Sequence, residues 1–135
     1  MRRKTVTSID TGVRSLIATA SQTLNTHFTP GRHHVACALR TKNGKVYRGL
    51  QLDCAGFDTC AEPTAIASAC LAGDTELTLI VAVQYDRSGK PTVVNPCGNC
   101  VQHLLVFAPH GKVIVQTPAG LQCLSPASLL PYPYA

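Results

Sequence analysis

The chain has no Trp and only three Phe in 135 residues. That leaves too few rings for the stacking platforms that hold single-stranded nucleic acid. Strong charge is also scarce: 14% of residues are charged and the formal net charge is +5. Arg2, Arg3 and Lys4 supply three positive charges near one terminus, and the rest are scattered rather than drawn into a basic stripe. No nucleic-acid partner is expected. No apolar run is long enough to cross a bilayer, so no membrane partner is expected either. Behind Met1-Arg2-Arg3-Lys4 comes a mixed polar segment with no secretory apolar region, and a cytoplasmic location is the default expectation. There are no internal repeats and no linker. With 45% hydrophobic residues, residues 1–135 read as one globular domain with a core of its own.

Cysteine is plentiful by contrast. Seven is an odd number, and in a reducing compartment they serve as thiols or metal ligands. Cys37 and Cys70 sit among apolar neighbours and read as core. Cys54 and Cys123 suggest no role. The other three lie in two short stretches, Thr59-Cys60-Ala61-Glu62-Pro63 and Pro96-Cys97-Gly98-Asn99-Cys100. A lone C-x-x-C is ambiguous between a redox pair, half a zinc ribbon and chance. A third cysteine with a glutamate two residues on changes the weighing. Three thiolates hold Zn²⁺ and leave one tetrahedral position for water, as in catalytic rather than structural sites. Such a water loses its proton near neutral pH, and a neighbouring carboxylate can take it.

Both stretches read as helix starts. Pro63 is tolerated only in a first turn, so a helix begins near Cys60. Pro96 acts likewise, and Cys97 and Cys100, three apart, share a face. Helix N-termini aimed at the sulfurs favour thiolates. Thr59 and Glu62 also have capping-box spacing, which gives both residues a purely structural reading.

The remaining pattern predicts a helix over 6–27, with apolar groups at Ile9, Val13, Leu16, Ile17, Ala20 and Leu24 and a cap at Thr7 or Ser8. Strands follow at 35–39 and 46–52, joined by a two-residue turn at Asn43-Gly44. A helix spans 60–72, and a strand buried on both faces spans 77–83. Residues 85–95 read as a polar loop or weak hairpin. A helix over 97–107, a strand over 113–117 and a helical turn through Leu130 complete the chain. This order predicts a three-layer α/β/α sandwich on a mixed, mostly five-stranded sheet.

The chain resembles the small zinc-dependent cytidine deaminases, a family that includes blasticidin S deaminases. The resemblance runs through Asn43-Gly44-Lys45-Val46-Tyr47, Gly49-Leu50-Gln51-Leu52-Asp53, Cys60-Ala61-Glu62, Pro96-Cys97-Gly98-Asn99-Cys100-Val101-Gln102 and Leu129-Leu130-Pro131. It implies the three-layer fold, hydrolytic deamination and a homotetramer. Zn²⁺ would be held by Cys60, Cys97 and Cys100. Glu62 would move protons to N3 and the leaving amine as water attacks C4 of cytosine. Ala61 would contact the pyrimidine through its backbone.

Departures bear on substrate. Gln51-Leu52-Asp53 replaces the N-x-E by which cytidine deaminases hold the ribose 3′-hydroxyl. The loop from Gln51 to Cys60 has the blasticidin S deaminase length, although those proteins lack the acid at Asp53. His33 stands where an aromatic ring usually lies near the base. Pro63 and Val101 replace two arginines that offset the thiolate charge. Gln51, Asp53, Ala61 and His33 are therefore the candidate substrate residues. A free cytosine nucleoside is the expected small-molecule substrate. A blasticidin-type or other amino-heterocycle is the alternative, and a non-catalytic zinc-bearing binding protein on the same fold is the second. Glu62 separates the last from an enzyme, because a structural zinc does not need it.

Overall fold

A computed structural model describes residues 9–135. The elements are α1 (Thr11–His27), β1 (Val35–Thr41), β2 (Val46–Leu50), α2 (Ala61–Leu71), β3 (Leu77–Tyr85), β4 (Pro91–Val94), α3 (Gly98–Phe107), β5 (Lys112–Thr117), β6 (Gly120–Leu124) and α4 (Pro126–Leu129). The three-layer sandwich is present, but its sheet has six strands rather than five. Five run in the order β2-β1-β3-β5-β6, and β4 pairs with β3. Among the described residues, only the β3–β5 pair is parallel. The sequence reading missed β6 because Gly120-Leu121-Gln122-Cys123-Leu124 has no β-branched residue and opens on glycine.

Helix α1 lays Val13, Leu16, Ala20 and Leu24 on one face of the sheet, against Ala36, Ala38, Val81 and Val83. Helices α2 and α3 cover the other face, burying Ala65, Ile66, Ala69 and Leu104 on Cys37, Leu39, Ile80 and Ala82. Successive strand residues point to opposite faces. A central strand covered on both sides is therefore apolar where it is covered, as β3 is from Leu79 to Val83, with the polar Thr78 and Gln84 exposed towards its ends. Cys37 belongs to this core, Cys70 is partly buried against it, and Cys123 is buried on the α1 side.

Two local expectations are corrected. Helix α1 begins at Thr11, and its cap is Asp10, whose Oδ1 accepts from Val13 N at 2.8 Å. Thr7 and Ser8 lie outside the described residues. The β1–β2 turn holds three residues, not two: Thr41 N donates to Lys45 O and Gly44 N to Thr41 O, both at 2.9 Å. Gly44 takes φ 79°, the left-handed residue that follows a type I turn in three-residue hairpins. The Asp74 carboxylate anchors this turn, accepting from Thr41 Oγ1 (2.6 Å), Asn43 Nδ2 (3.1 Å) and Tyr47 OH (3.2 Å).

Gly49 decides how α2 meets the sheet. A Cβ at this position would clash with Ala65 N, Ala61 O and Thr64 Oγ1, so the backbones of β2 and α2 touch. Thr64 Oγ1 bridges the contact, donating to Leu50 O (2.9 Å) or Ala61 O (2.8 Å). Gly49→Ala has to push α2 off the sheet. It is expected to cost about 3 kcal/mol, the upper range for overpacking. Urea unfolding of the variant measures it, and an unchanged midpoint would refute the close approach.

Candidate active site

The two cysteine stretches meet at one end of the sheet. Cys60 is the N-cap of α2, Cys97 is the N-cap of α3, and Cys100 lies in the first turn of α3. Neither cap uses a side-chain hydrogen bond. The three Sγ atoms lie within 4.8 Å of one another, with Cys60–Cys97 at 3.7 Å and Cys97–Cys100 at 3.4 Å. Sulfurs bound at about 2.3 Å in tetrahedral geometry stand about 3.8 Å apart, so the trio fits Zn²⁺. No fourth Cys, His, Asp or Glu joins this group among the described residues.

Glu62 stands in the same first turn of α2 as Ala61, with 6% of its surface exposed. The capping-box reading of Thr59 and Glu62 fails, because the N-cap is Cys60. Instead Glu62 Oε2 accepts from Cys100 Sγ at 2.9 Å. Metal binding requires the thiolate, which has no proton to donate. Loading the site therefore frees the Glu62 carboxylate as an acceptor.

These groups line a pocket of about 210 Å³, walled also by Val35, Gln51, Asp58, Ala61, Val94 and Asn95. It opens where the partner of β3 changes. On that edge β5 pairs with Leu79 and Ile80, and β4 takes over from Ala82 to Tyr85. Strand ends at such changes are where α/β sheets bind ligands. A larger open groove of about 550 Å³ runs along β2, but no thiol or carboxylate lines it.

The expected substrate residues divide. Gln51 and Ala61 are on the pocket wall, whereas His33 and Asp53 are not among its lining residues. Gln51 is tightly held. Its N donates to Val35 O (2.9 Å), its O accepts from His33 Nδ1 (2.8 Å), and its Oε1 accepts from His34 N (2.8 Å). Its Nε2 is the one polar group left for a ligand, and it is not sealed in unpaired. Asp53 Oδ2 lies 3.7 Å from His34 Nε2, which itself accepts from Gly31 N at 3.0 Å. The sequence reading missed Val35, Asp58, Val94 and Asn95. Asp58 and Asn95 stand two residues before ligand cysteines, a signal of proximity. Nothing in the sequence points to Val35.

Residues 12–117 match the profile of the cytidine and deoxycytidylate deaminase zinc-binding region. The chain belongs to this deaminase family. It is 30% identical over 127 residues to a blasticidin-S deaminase of Bacillus cereus, covering 88% of this chain and 89% of that protein. It is 32% identical over 121 residues to a cytidine deaminase of Halalkalibacterium halodurans, covering 86% and 89%. The crystal structure of a Burkholderia pseudomallei cytidine deaminase superposes with TM-score 0.73 at 29% identity, over 90% of this chain and 98% of that one. The three cysteines form a cluster suited to zinc within a zinc-binding deaminase domain.

With Pro63 and Val101 in place of arginines, backbone N–H groups and neighbouring thiols together favour the thiolate at one of the three cysteines. Burial pushes the Cys97 thiol up, but the Cys100 N–H, the Cys100 and Cys60 thiols and the Asn99 N–H outweigh it and hold it below the ordinary range. Cys60 is raised, mainly by burial. Cys100 is raised strongly by burial and by the charge of Glu62. The expected helix-terminus effect on the thiols therefore prevails only at Cys97.

Proposed function

We propose that this protein is a zinc-dependent hydrolase that converts the 4-amino group of cytosine to a carbonyl in a free nucleoside or nucleoside analogue, releasing ammonia. One observation carries the reading: three sulfurs at zinc spacing and the Glu62 carboxylate share one small pocket. The bound ion supplies Lewis acidity that makes water nucleophilic near neutral pH. Cys60, Cys97 and Cys100 hold it. Glu62 would take one proton of the water and give it to N3, and then carry the proton of the new C4 hydroxyl to the departing amine, which leaves as ammonia as the C4 carbonyl forms. The Ala61 N–H, without an intrahelical partner at the first position of α2, faces the pyrimidine. The pocket is smaller than the roughly 300–1,000 Å³ of drug-sized sites, which suits one heterocycle with the rest of the molecule at the mouth. There Gln51 Nε2 donates to a sugar oxygen, with Asp53 and His33 at the rim. The protein works in the cytoplasm as a homotetramer. Exposed Phe57, Leu71 and Val106 and the Tyr132/Tyr134 tail support assembly.

A blasticidin-type substrate is the second reading. It is favoured by the likeness to the Bacillus cereus protein and by Asp53 standing off the pocket wall. Ammonia release from cytidine, deoxycytidine, 2′,3′-dideoxycytidine and blasticidin S, by wild type and Asp53→Ala, separates the two. If Asp53 reads a hydroxyl, the variant loses about 1.5–3 kcal/mol in kcat/KM on cytidine, as for a hydrogen bond to a charged group. The dideoxy substrate is spared. Equal loss on both, or none, removes Asp53 from sugar recognition and favours the blasticidin-type substrate. Release from none of the four refutes the proposed substrate class.

A further inference from the structure

Cys97 is the most exposed of the three sulfur ligands, and it stands in a connection rather than inside a helix. The chain leaves the sheet at Val94, whose strand partner is Ala82, and enters α3 with the bond from Val101 N to Cys97 O at 3.0 Å. Only Asn95 and Pro96 lie between. Proline has no N–H to tie down. Among the described residues, one side chain, Asn95, ties down this crossing with two hydrogen bonds. Asn95 Oδ1 accepts from Gln116 N at 2.7 Å, and Asn95 Nδ2 donates to Gln116 O at 2.9 Å.

Both bonds go to one residue of β5, on the edge that β3 leaves free. The β3–β5 pairing covers only Leu79 with Lys112 and Ile80 with Val113, and β6 holds the other edge of β5. The Asn95 amide thus takes the place of a peptide group and supplies a missing ladder rung. Paired in two places, it is fixed in orientation as well as position. With the ring of Pro96 limiting the next φ, Cys97 has little freedom left.

We propose that Asn95 is a positioning residue for the metal centre. Its clip on Gln116 holds Cys97 at the spacing that Zn²⁺ requires from Cys60 and Cys100. The inference rests on the zinc reading of the site but concerns a residue outside the ligand set. Partners that orient metal ligands are typically worth 10–100-fold in metal affinity.

The test is zinc competition against a chromophoric chelator on the intact protein, with the absorption of the Co²⁺-substituted form as a reporter of ligand geometry. Asn95→Ala is expected to bind zinc about tenfold or more weakly, with a changed Co²⁺ spectrum. Asn95→Asp keeps the volume and the acceptor for Gln116 N but loses the donor, and it is expected to weaken zinc as well. The comparison is Asn43→Ala, at the far end of the β1–β2 hairpin. It breaks an amide bond to Asp74, so it lowers the thermal midpoint and leaves zinc affinity alone. Wild-type zinc affinity in both Asn95 variants overturns the inference. So does equal weakening in Asn43→Ala, which would make the effect one of general stability. A wild-type protein without stoichiometric zinc overturns the metal reading and this inference together.

Discussion

Glu62→Gln is expected to keep the fold and the zinc and to lower deamination on the order of a hundredfold or more, the usual effect of removing a positioned acid/base. The substitution is nearly isosteric, and the site is tight: Glu62 is 6% exposed, with Cys100 Sγ against its Oε2. The amide oxygen still accepts a hydrogen bond there. What it cannot do is take a proton from water and return it to a ring nitrogen and an amine. A stability effect through helix capping is not expected, because α2 is capped at Cys60 and Glu62 makes no capping bond to Thr59. The measurement is kcat/KM for the preferred substrate in wild type and variant, normalised to zinc content. Near-normal turnover by a zinc-loaded variant would remove Glu62 from the chemistry and revive the non-catalytic alternative.

Removing the zinc is expected to abolish activity and to lower stability. The ion ties the N-terminus of α2 to that of α3 through residues that the chain separates by 37 positions, Cys60 and Cys97. A ligand that binds only the folded state stabilises it by mass action, about 4 kcal/mol at a thousandfold excess over Kd. Chelation should therefore lower the thermal midpoint by several degrees, and returned Zn²⁺ should restore both midpoint and turnover. Cys100→Ala should mimic chelation and resist rescue. Its sulfur is fully buried, so neither water nor an exposed side chain can replace it easily. Unchanged activity and midpoint after exhaustive chelation, with metal shown to be absent, would sink the zinc assignment. A Cys97–Cys100 disulfide in the active protein would do the same.

Much of the site was legible in the sequence because its rules act over one helical turn. Pro63 and Pro96 each confine a helix start to a few positions, and those starts are where Cys60 and Cys97 cap α2 and α3. The three-residue spacing of Cys97 and Cys100 puts both sulfurs on one face whatever surrounds them. The same holds for the middle of β3, whose apolar run from Leu79 to Val83 admits no solvent-facing side, and for the place, though not the length, of the turn at Gly44. Where local signals compete, the sequence was less decisive. Asp10, Thr7 and Ser8 are all good caps, and only the position where α1 begins to pack selects Asp10. Thr59 and Glu62 have capping-box spacing, yet the carboxylate goes to Cys100, a partner 38 residues away. The β6 strand has weak propensity and exists because β5 offers it an edge. The Asn95 clip on Gln116 and the placing of Val35, Gln51 and Glu62 around one pocket likewise depend on which strand lies beside β3. Residue spacing determined the chemistry each segment carries. Strand order decided which segments meet, because contacts across tens of residues are set by packing two helical layers on one sheet and not by periodicity along the chain.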